Sequence, residues 1–291
     1  MRNALVIAAL AAASCAQQPA QPRAMDDAAS LAAAESAFAA HSVREDMRAA
    51  FLANFTDDGV FVRNGWANSN DFLRTQPAPP IVLDWRPVHT EVAASGELGL
   101  STGPWRVTSK SKPGAPPSFG QYVSVWRRAA GGPWKVAVDL GIEHPQPSLW
   151  DAPLGTSAPS GSSSPASRGI ESAELDFVSD AHSQGPRSAY ATHGAERMRF
   201  YRGGHAPAVG KAAALASPAM SDEKLAWVVE QTEIARSRDF GYARGSYAAL
   251  SAPTRPLGYF LRVWRREAGQ WRIVMDVTNP AREDPSQGAA S

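Results

Sequence analysis

Two stretches of the sequence, GQYVSVWRRAAGGPWKVAVD at 120–139 and GYFLRVWRREAGQWRIVMD at 258–276, are versions of one pattern. Trp126 of the first aligns with Trp264 of the second, and each stretch ends on an aspartate. In both, two runs rich in β-branched and aromatic residues flank a turn that contains glycine, which predicts a β-hairpin. The chain therefore contains the same predicted hairpin twice.

The repeat extends toward the N-terminus of each copy. WRPVHTEVAASGELG at 85–99 aligns without a gap with WVVEQTEIARSRDFG at 227–241, at a spacing of 142 positions. Further upstream, Phe38 aligns with Phe177 at a spacing of 139. A spacing that drifts by a few residues indicates short insertions in loops between fixed elements, and hence a duplicated domain.

The repeat and the composition of the segments around it divide the chain. The predicted parts are a signal peptide at 1–14, a tether at 15–24, a first domain at 25–148, a Ser/Pro/Gly linker at 149–168, a second domain at 169–285 and a tail at 286–291.

The composition excludes several classes of protein. Lys plus Arg is 29 and Asp plus Glu is 28, so the formal net charge is +1. This balance argues against a general nucleic-acid binder and against a polybasic membrane-surface protein. Because Cys15 is the single cysteine of the sequence, an intramolecular disulfide and a cysteine-rich zinc site are both excluded.

The N-terminus is typical of an export signal. Arg2 is followed by the apolar run Ala4 to Ala13 and then by Cys15. The run is too short to span a bilayer, which needs about 20 residues. Ala-Ala-Ser-Cys resembles the bacterial lipobox, and this implies lipidation of Cys15, a periplasmic location and membrane contact only through the lipid. An ordinary signal peptide cut nearby is the alternative.

Within the first copy, helical patterns come first and strands follow. The segment from Asp27 to His41 suits a helix, and Ser42-Val43-Arg44-Glu45 reads as a capping box for a second helix. Long strands are predicted at 81–93, 98–109, 119–128 and 134–142. The gaps between them are too short for helical crossovers, so the sequence predicts an α+β fold with an antiparallel sheet.

The first copy resembles the SnoaL-like branch of the nuclear-transport-factor-2-like, or ketosteroid-isomerase-like, superfamily. The motifs that carry the resemblance occur in order: D-D-G-V-F-V, W-x-P, G-x-L-G-x-S-x-G-x-W, G-x-Y-x-x-V-W-R-R and G-x-W-K-V-x-x-D. The second copy matches in its strands and less in its helices. The resemblance implies two tandem cones, each a bent sheet around N-terminal helices with an apolar cavity. It also implies dimerisation, either as an intramolecular pseudo-dimer or as a homodimer.

Enzymes of this superfamily move a proton with an Asp or His in the cavity and stabilise an oxyanion with Tyr or Asp. Asp139 is therefore the leading candidate base, and a strand-end aspartate that bonds neighbouring backbone is the structural alternative. Tyr122 is a candidate oxyanion donor, although its counterpart Phe260 lacks the hydroxyl. His89 is a candidate proton carrier whose counterpart is Gln231.

Aromatic side chains are the candidates for ligand contacts. They would line a cavity for a flat apolar molecule, or alternatively form ordinary core. The candidates are Trp66, Trp85, Trp105 and Trp126, with Asp276 in the second copy.

Three functions follow from these features. The preferred interpretation is an exported protein that binds a small apolar or aromatic molecule. The alternatives are an isomerase- or dehydratase-type enzyme that uses general acid–base catalysis, and a non-catalytic envelope scaffold. No metal or organic cofactor is expected, because the sequence lacks a phosphate loop, a nucleophile elbow and a zinc motif.

Overall fold

The computed structural model describes residues 21–157 and 169–281, which form two domains of the α+β class. Domain 1 contains α1 (Gln21–Arg44), α2 (Met47–Asn54), β1 (Phe55–Val62), β2 (Trp66–Asn68), α3 (Ser69–Thr75), β3 (Ile81–Trp85), β4 (His89–Val92), β5 (Leu98–Ser109), β6 (Ser118–Arg127), β7 (Lys135–His144) and β8 (Gly155–Ser157). Domain 2 contains α4 (Ile170–Gln184), α5 (Pro186–His193), β9 (Gly194–Arg202), β10 (Ala208–Val209), α6 (Lys211–Ala216), β11 (Leu225–Ile234), β12 (Phe240–Ala249), β13 (Pro256–Glu267) and β14 (Gln270–Pro280). The predicted fold class, two cones with N-terminal helices, is confirmed.

Each domain has its own sheet. The strand order is β2-β1-β7-β6-β5-β4-β8 in domain 1, where β3 also pairs with β5, and β10-β9-β14-β13-β12-β11 in domain 2. The long strands are antiparallel, as predicted, but β1 runs parallel to β7 and β9 runs parallel to β14. Both sheets are therefore mixed. A parallel pair needs a long connection, and the many residues between these partners in the chain provide it.

The strand predicted at 81–93 is broken in two. Trp85 at the end of β3 pairs with Trp105 of β5, and His89 at the start of β4 pairs with Thr102 of the same strand. The three residues between β3 and β4 interrupt the ladder and separate Trp85 from His89.

The helices of domain 1 pack their apolar faces against the sheet. Leu31 and Phe38 of α1 are buried in the core. The second helix begins at Asp46, whose side chain accepts a hydrogen bond from the backbone N–H of Ala49 at 2.8 Å. The prediction that Ser42 caps the second helix is therefore wrong, and the cap lies one turn later. Helix α1 continues through Ser42, whose hydroxyl donates to the carbonyl of Leu83. Among the helices that the structure describes, none is long and apolar enough to cross a membrane.

The segment predicted as a linker begins with ordered structure. Thr156 in β8 pairs in parallel with Thr90 of β4. These residues extend the sheet of domain 1 by one strand before residues 158–168, which lie outside the described part of the chain.

The contacts between the two domains are reciprocal. Ser95 and Ser237, which are aligned in the repeat, meet with their hydroxyl oxygens 2.7 Å apart. Each of these serines also accepts a hydrogen bond from the backbone N–H of the other. Glu91 pairs with Arg265 at 2.9 Å, and their repeat counterparts Glu233 and Arg127 pair at 3.3 Å. Contacts in which equivalent residues exchange roles are those of a two-fold interface.

Candidate functional site

Domain 1 contains a cavity of about 270 Å³ between its helices and its sheet. Residues of helices α1 and α2 line it together with residues of strands β1, β3, β5, β6 and β7. The lining includes Glu35, Phe38, Phe51, Arg63, Trp85, Trp105, Tyr122, Ser124, Asp139 and Glu143. Asn279 of domain 2 also reaches the cavity, and its amide donates to the carbonyl of Gly141 at 2.5 Å. The second domain thus completes the wall of the first domain's cavity.

Asp139 lies on β7 directly opposite Ser124 of β6. The Ser124 hydroxyl donates to Oδ2 of Asp139 at 2.7 Å. Burial raises the pKa of Asp139 to about 6, because its effect exceeds the lowering by the Ser124 hydrogen bond and by the charge of Arg63. A carboxyl group of this kind is ionised at neutral pH and is well suited to accept a proton.

Glu35 is a second carboxyl group at the same cavity, and sequence analysis missed it. Its side chain is fully buried, and it accepts hydrogen bonds from the indole N–H groups of Trp85 at 2.6 Å and Trp126 at 2.9 Å. Burial raises the pKa of Glu35 to about 7, and the nearby charge of Asp139 adds to this rise. The spacing that aligns Phe38 with Phe177 also aligns Glu35 with Glu174. A glutamate at the same position in both copies is thus the sequence feature that could have identified Glu35.

Tyr122 and Trp105 complete the polar and aromatic surface. The Tyr122 hydroxyl lies 3.1 Å from that of Ser101, and burial raises the pKa of Tyr122 well above its usual range, with Glu35 adding to the effect. The phenol therefore stays protonated and remains a hydrogen-bond donor. The Trp105 ring packs closely against Gly120, where a Cβ atom would come within 2.3 Å of the ring.

The equivalent region of domain 2 is filled by an arginine. Arg262 replaces Ser124 and is fully buried. Its Nε donates to Oδ2 of Asp276 at 2.6 Å, and its Nη1 donates to Oε2 of Glu174 at 2.6 Å. Arg202 also pairs with Asp276, at 2.7 Å. Burial by itself would raise the pKa of Asp276, but the charges of Arg262 and Arg202 hold it below its usual range.

Some residues proposed from the sequence lie outside the cavity lining. His89 lies 3.7 Å from Glu91 near the domain interface, because the break after β3 takes it away from the cavity, and burial lowers its pKa. The Trp66 indole donates to the carbonyl of Gly245 in domain 2 at 3.0 Å and stacks with Arg244.

Of the remaining candidates, Trp126 is fully buried behind Glu35. Asp276 is held by arginines, whereas Trp85, Trp105, Tyr122 and Asp139 meet at the cavity. Cys15 lies outside the described residues. Within residues 21–157 and 169–281, no group of three or more His, Cys, Asp or Glu side chains is arranged to hold a metal ion.

Among known proteins, the chain is similar to a set of solved structures. No protein-family model matches the chain. No curated protein matches it either.

The similar solved structures are of the ketosteroid-isomerase-like and nuclear-transport-factor-2-like type. A ketosteroid isomerase-like protein from Erwinia carotovora atroseptica is 20% identical, with 40% of this chain and 96% of that chain covered and a TM-score of 0.32. A putative calcium/calmodulin-dependent protein kinase type II association domain from Thiobacillus denitrificans is 22% identical, with 41% and 100% covered and a TM-score of 0.33. A nuclear-transport-factor-2-like protein of unknown function from Pseudomonas putida is 14% identical, with 40% and 88% covered and a TM-score of 0.32.

Proposed function

We propose that domain 1 binds a small, largely apolar or aromatic molecule in its cavity. The observation that carries this proposal is the contrast at one position: Ser124 leaves space in domain 1 where Arg262 fills the equivalent place in domain 2. The volume of about 270 Å³ is close to the lower end for small-molecule sites, about 300 Å³. Aromatic walls with a few convergent polar groups are the usual composition of such sites.

A thermal-shift screen with small neutral aromatic compounds tests this proposal. Compounds that bind should raise the melting temperature of the wild type and quench tryptophan fluorescence, since Trp85 and Trp105 line the cavity. Leu83→Trp, which places a larger ring at the cavity wall, should abolish both effects. Leu175→Trp, at a position that is 69% exposed in domain 2, is the control and should bind normally. A library without a single binder would favour the scaffold alternative, and binding that persists in L83W would place the site elsewhere.

Proton transfer is a second candidate function, favoured by the position of Asp139. Its carboxyl group faces the cavity with a pKa of about 6, next to Glu35 with a pKa of about 7. The ionised carboxylate of Asp139 can thus accept a proton near neutral pH, while Glu35 can carry one. Tyr122 can donate a hydrogen bond to developing negative charge. In this function Asp139 is the base, and the substrate is a small molecule with an acidic C–H bond.

A generic probe of C–H deprotonation tests the second function without knowledge of the substrate. The ring opening of 5-nitrobenzisoxazole, a flat aromatic compound, should be accelerated with a rate that rises with pH to a plateau and has a midpoint near 6. Asp139→Asn should lower this rate by about 100-fold or more. Asp84→Asn removes a carboxyl group that pairs with Arg106 at the surface and should leave the rate unchanged. An unchanged rate in D139N would refute the assignment of the base.

We also propose that the two domains form an intramolecular pseudo-dimer in solution. The reciprocal contacts at Ser95 and Ser237 and the two Glu–Arg pairs support this proposal. Light scattering should give the mass of one chain, 31.0 kDa before processing. A mass of two chains would instead favour a homodimer.

Export and lipid anchoring remain proposals that rest on the N-terminal sequence. Expression in a bacterium with radiolabelled fatty acid should label the wild type and leave Cys15→Ser unlabelled. Equal labelling of the two proteins, or its absence from both, would contradict a lipid anchor at this residue.

A further inference from the structure

The guanidinium group of Arg262 lies among carboxylates and aromatic rings inside domain 2, although its Nη2 atom has no hydrogen-bond partner within the described residues. It pairs with the carboxylates of Asp276 and Glu174, both at 2.6 Å. Its Cζ atom also lies 4.0 Å from the ring centroid of Phe177, 4.9 Å from that of Trp227 and 5.0 Å from that of Phe260. Carboxylates at the edge and aromatic rings at the face are the surroundings that a guanidinium group favours.

Every one of these partners has a counterpart at the cavity of domain 1. The repeat places Asp139 at Asp276, Glu35 at Glu174, Phe38 at Phe177, Trp85 at Trp227 and Tyr122 at Phe260, and all five counterparts line the cavity. Tyr122 keeps the ring of Phe260 and adds a hydroxyl group. The cation itself is absent from this position in domain 1, because Ser124 stands at the position of Arg262, opposite the aspartate in both sheets. Domain 1 thus keeps the surroundings of a guanidinium group and has a cavity where that group would lie.

We propose that the cavity of domain 1 takes an organic cation, a ligand whose guanidinium or amidinium group pairs with Asp139 and lies among the rings as Arg262 does in domain 2. This inference rests on the proposed binding function and names the class of ligand. The remainder of the molecule is apolar or aromatic and occupies the part of the cavity toward Phe51 and Trp105.

The two carboxylates contribute unequally. In domain 1 the Trp85 indole already donates to Oε1 of Glu35, whereas the equivalent Trp227 indole N–H has no hydrogen-bond partner within the described residues. Glu174 thus accepts from one indole, that of Trp264, and pairs with Arg262 through its other oxygen. Glu35 accepts from two indoles, and a ligand in domain 1 would share it with both. Asp139 is therefore the principal anchor.

The charges around the cavity favour a cation. Glu35, Asp139 and Glu143 are the acidic residues in its lining, and Arg63 is the basic one. Arg63 lies with its guanidinium carbon 4.5 Å from the centroid of the Phe61 ring, and its charge lowers the pKa of Asp139. The wall thus holds more potential negative charge than positive charge, and a bound cation would offset the excess.

A matched pair of probes tests the inference. Benzamidine is a flat aromatic cation, and benzamide is a neutral compound of nearly the same shape. Titration calorimetry at pH 8 should show benzamidine binding to the wild type at least tenfold more tightly than benzamide. The affinity for benzamidine should fall toward pH 5, as Glu35 and Asp139 become protonated, while that for benzamide changes little.

Variants identify the site. Ser124→Arg introduces the arginine of domain 2 and should abolish benzamidine binding, and Asp139→Asn should remove the preference for the cation. Ser183→Arg adds the same charge at an exposed helix position in domain 2 and should bind benzamidine like the wild type. Arg262→Ser should create a second benzamidine site and raise the stoichiometry from one to two.

These results distinguish the inference of a cationic ligand from the broader proposal that the cavity binds a small molecule. Equal or tighter binding of benzamide overturns the inference of a cationic ligand and leaves the proposed binding of an apolar or aromatic molecule standing. Benzamidine binding that survives both S124R and D139N also overturns the inference. A wild type that binds neither probe refutes it, and the neutral-compound screen then decides separately whether the cavity binds any ligand.

Discussion

Domains 1 and 2 place a glutamate and an aspartate at the same two points of the same fold. Burial raises the pKa of both glutamates, but the pKa values of the two aspartates are shifted in opposite directions. In domain 2, Arg262 bridges Glu174 and Asp276, and the pKa of the aspartate is low. In domain 1, Asp139 has a serine as its hydrogen-bond partner, and its pKa is raised to about 6. The difference between Ser124 and Arg262 therefore accompanies the difference between a cavity lined by Glu35 and Asp139 and a core in which the equivalent carboxylates are paired with an arginine.

The largest expected effect comes from removing the arginine of domain 2. Arg262→Ser leaves two buried carboxyl groups without their shared cation, and this should lower the free energy of unfolding of domain 2 by about 3–5 kcal/mol. Urea unfolding followed by tryptophan fluorescence measures the loss. Arg197→Ser, at an exposed position on β9, is the control and should cost less than about 0.5 kcal/mol. A loss in R262S as small as that in R197S would mean that the ion pairs do not hold domain 2 together.

The same substitution at the two aspartates should have effects of opposite sign. The pKa of Asp139 is raised on folding, so its ionisation disfavours the folded state as pH rises from about 4 to about 6. Asp139→Asn should therefore stabilise the protein by about 3 kcal/mol at pH 8 and have little effect at pH 4. The pKa of Asp276 is lowered, so its ionised form contributes stability above the usual aspartate pKa, and that stability is lost as pH falls through the depressed pKa.

Asp276→Asn should consequently destabilise the protein at pH 8. Thermal melts of both variants between pH 4 and pH 8 check these signs. Effects of the same sign at pH 8 would show that the two sites do not differ as the structure describes.

Building the arginine into domain 1 should make the two domains more alike. Because Glu35 and Asp139 are already buried, Ser124→Arg adds a cation to carboxyl groups whose loss of hydration has already occurred. We expect a gain of about 1 kcal/mol at pH 8 that disappears near pH 5, where both carboxyl groups are protonated. Stability that falls at both pH values would mean that the cavity cannot accommodate the side chain.

The smallest effects concern the domain interface, where the two halves exchange equivalent contacts. Asp239 accepts a hydrogen bond from the backbone N–H of Ala94 at 3.1 Å, and its counterpart Glu97 accepts one from that of Arg236 at 2.6 Å. Asp239 is buried and Glu97 is more exposed. Asp239→Asn should therefore lower the free energy of unfolding by about 1 kcal/mol, and Glu97→Gln should lower it by about half as much. Chemical denaturation of both variants checks the order, and a larger loss in E97Q would contradict it.

The two domains share features that depend on local sequence alone. The sequence predicts the repeat, the order of helices before strands, and the hairpins, because these features depend on local periodicity and turn residues. The sequence also indicated Trp85, Trp105, Tyr122 and Asp139 as candidate site residues. In the structure, all four line one cavity. The parallel pairing of β1 with β7 was not readable, since it joins segments far apart in the chain.

Two candidates were misplaced for reasons that lie in tertiary structure. His89 follows a break in the ladder after β3 and comes to lie beside Glu91. Trp66 contacts the carbonyl of Gly245, which is 179 positions away in the sequence. Neither the break nor the interdomain contact has a local pattern that predicts it.

By itself, the sequence determined that the chain carries two copies of one α+β unit and that an aspartate occupies the same position in the last long strand of each copy. These features depend on local propensity and on the spacing of the repeat. Only the tertiary structure decided what the aspartates do. Glu35 of α1 and Asp139 of β7 lie on one cavity although they are far apart in the chain, and their pKa values follow from that shared burial. Loss of hydration and charge–charge interactions depend on which groups meet in space, so the difference between a cavity and a filled core emerged only on folding.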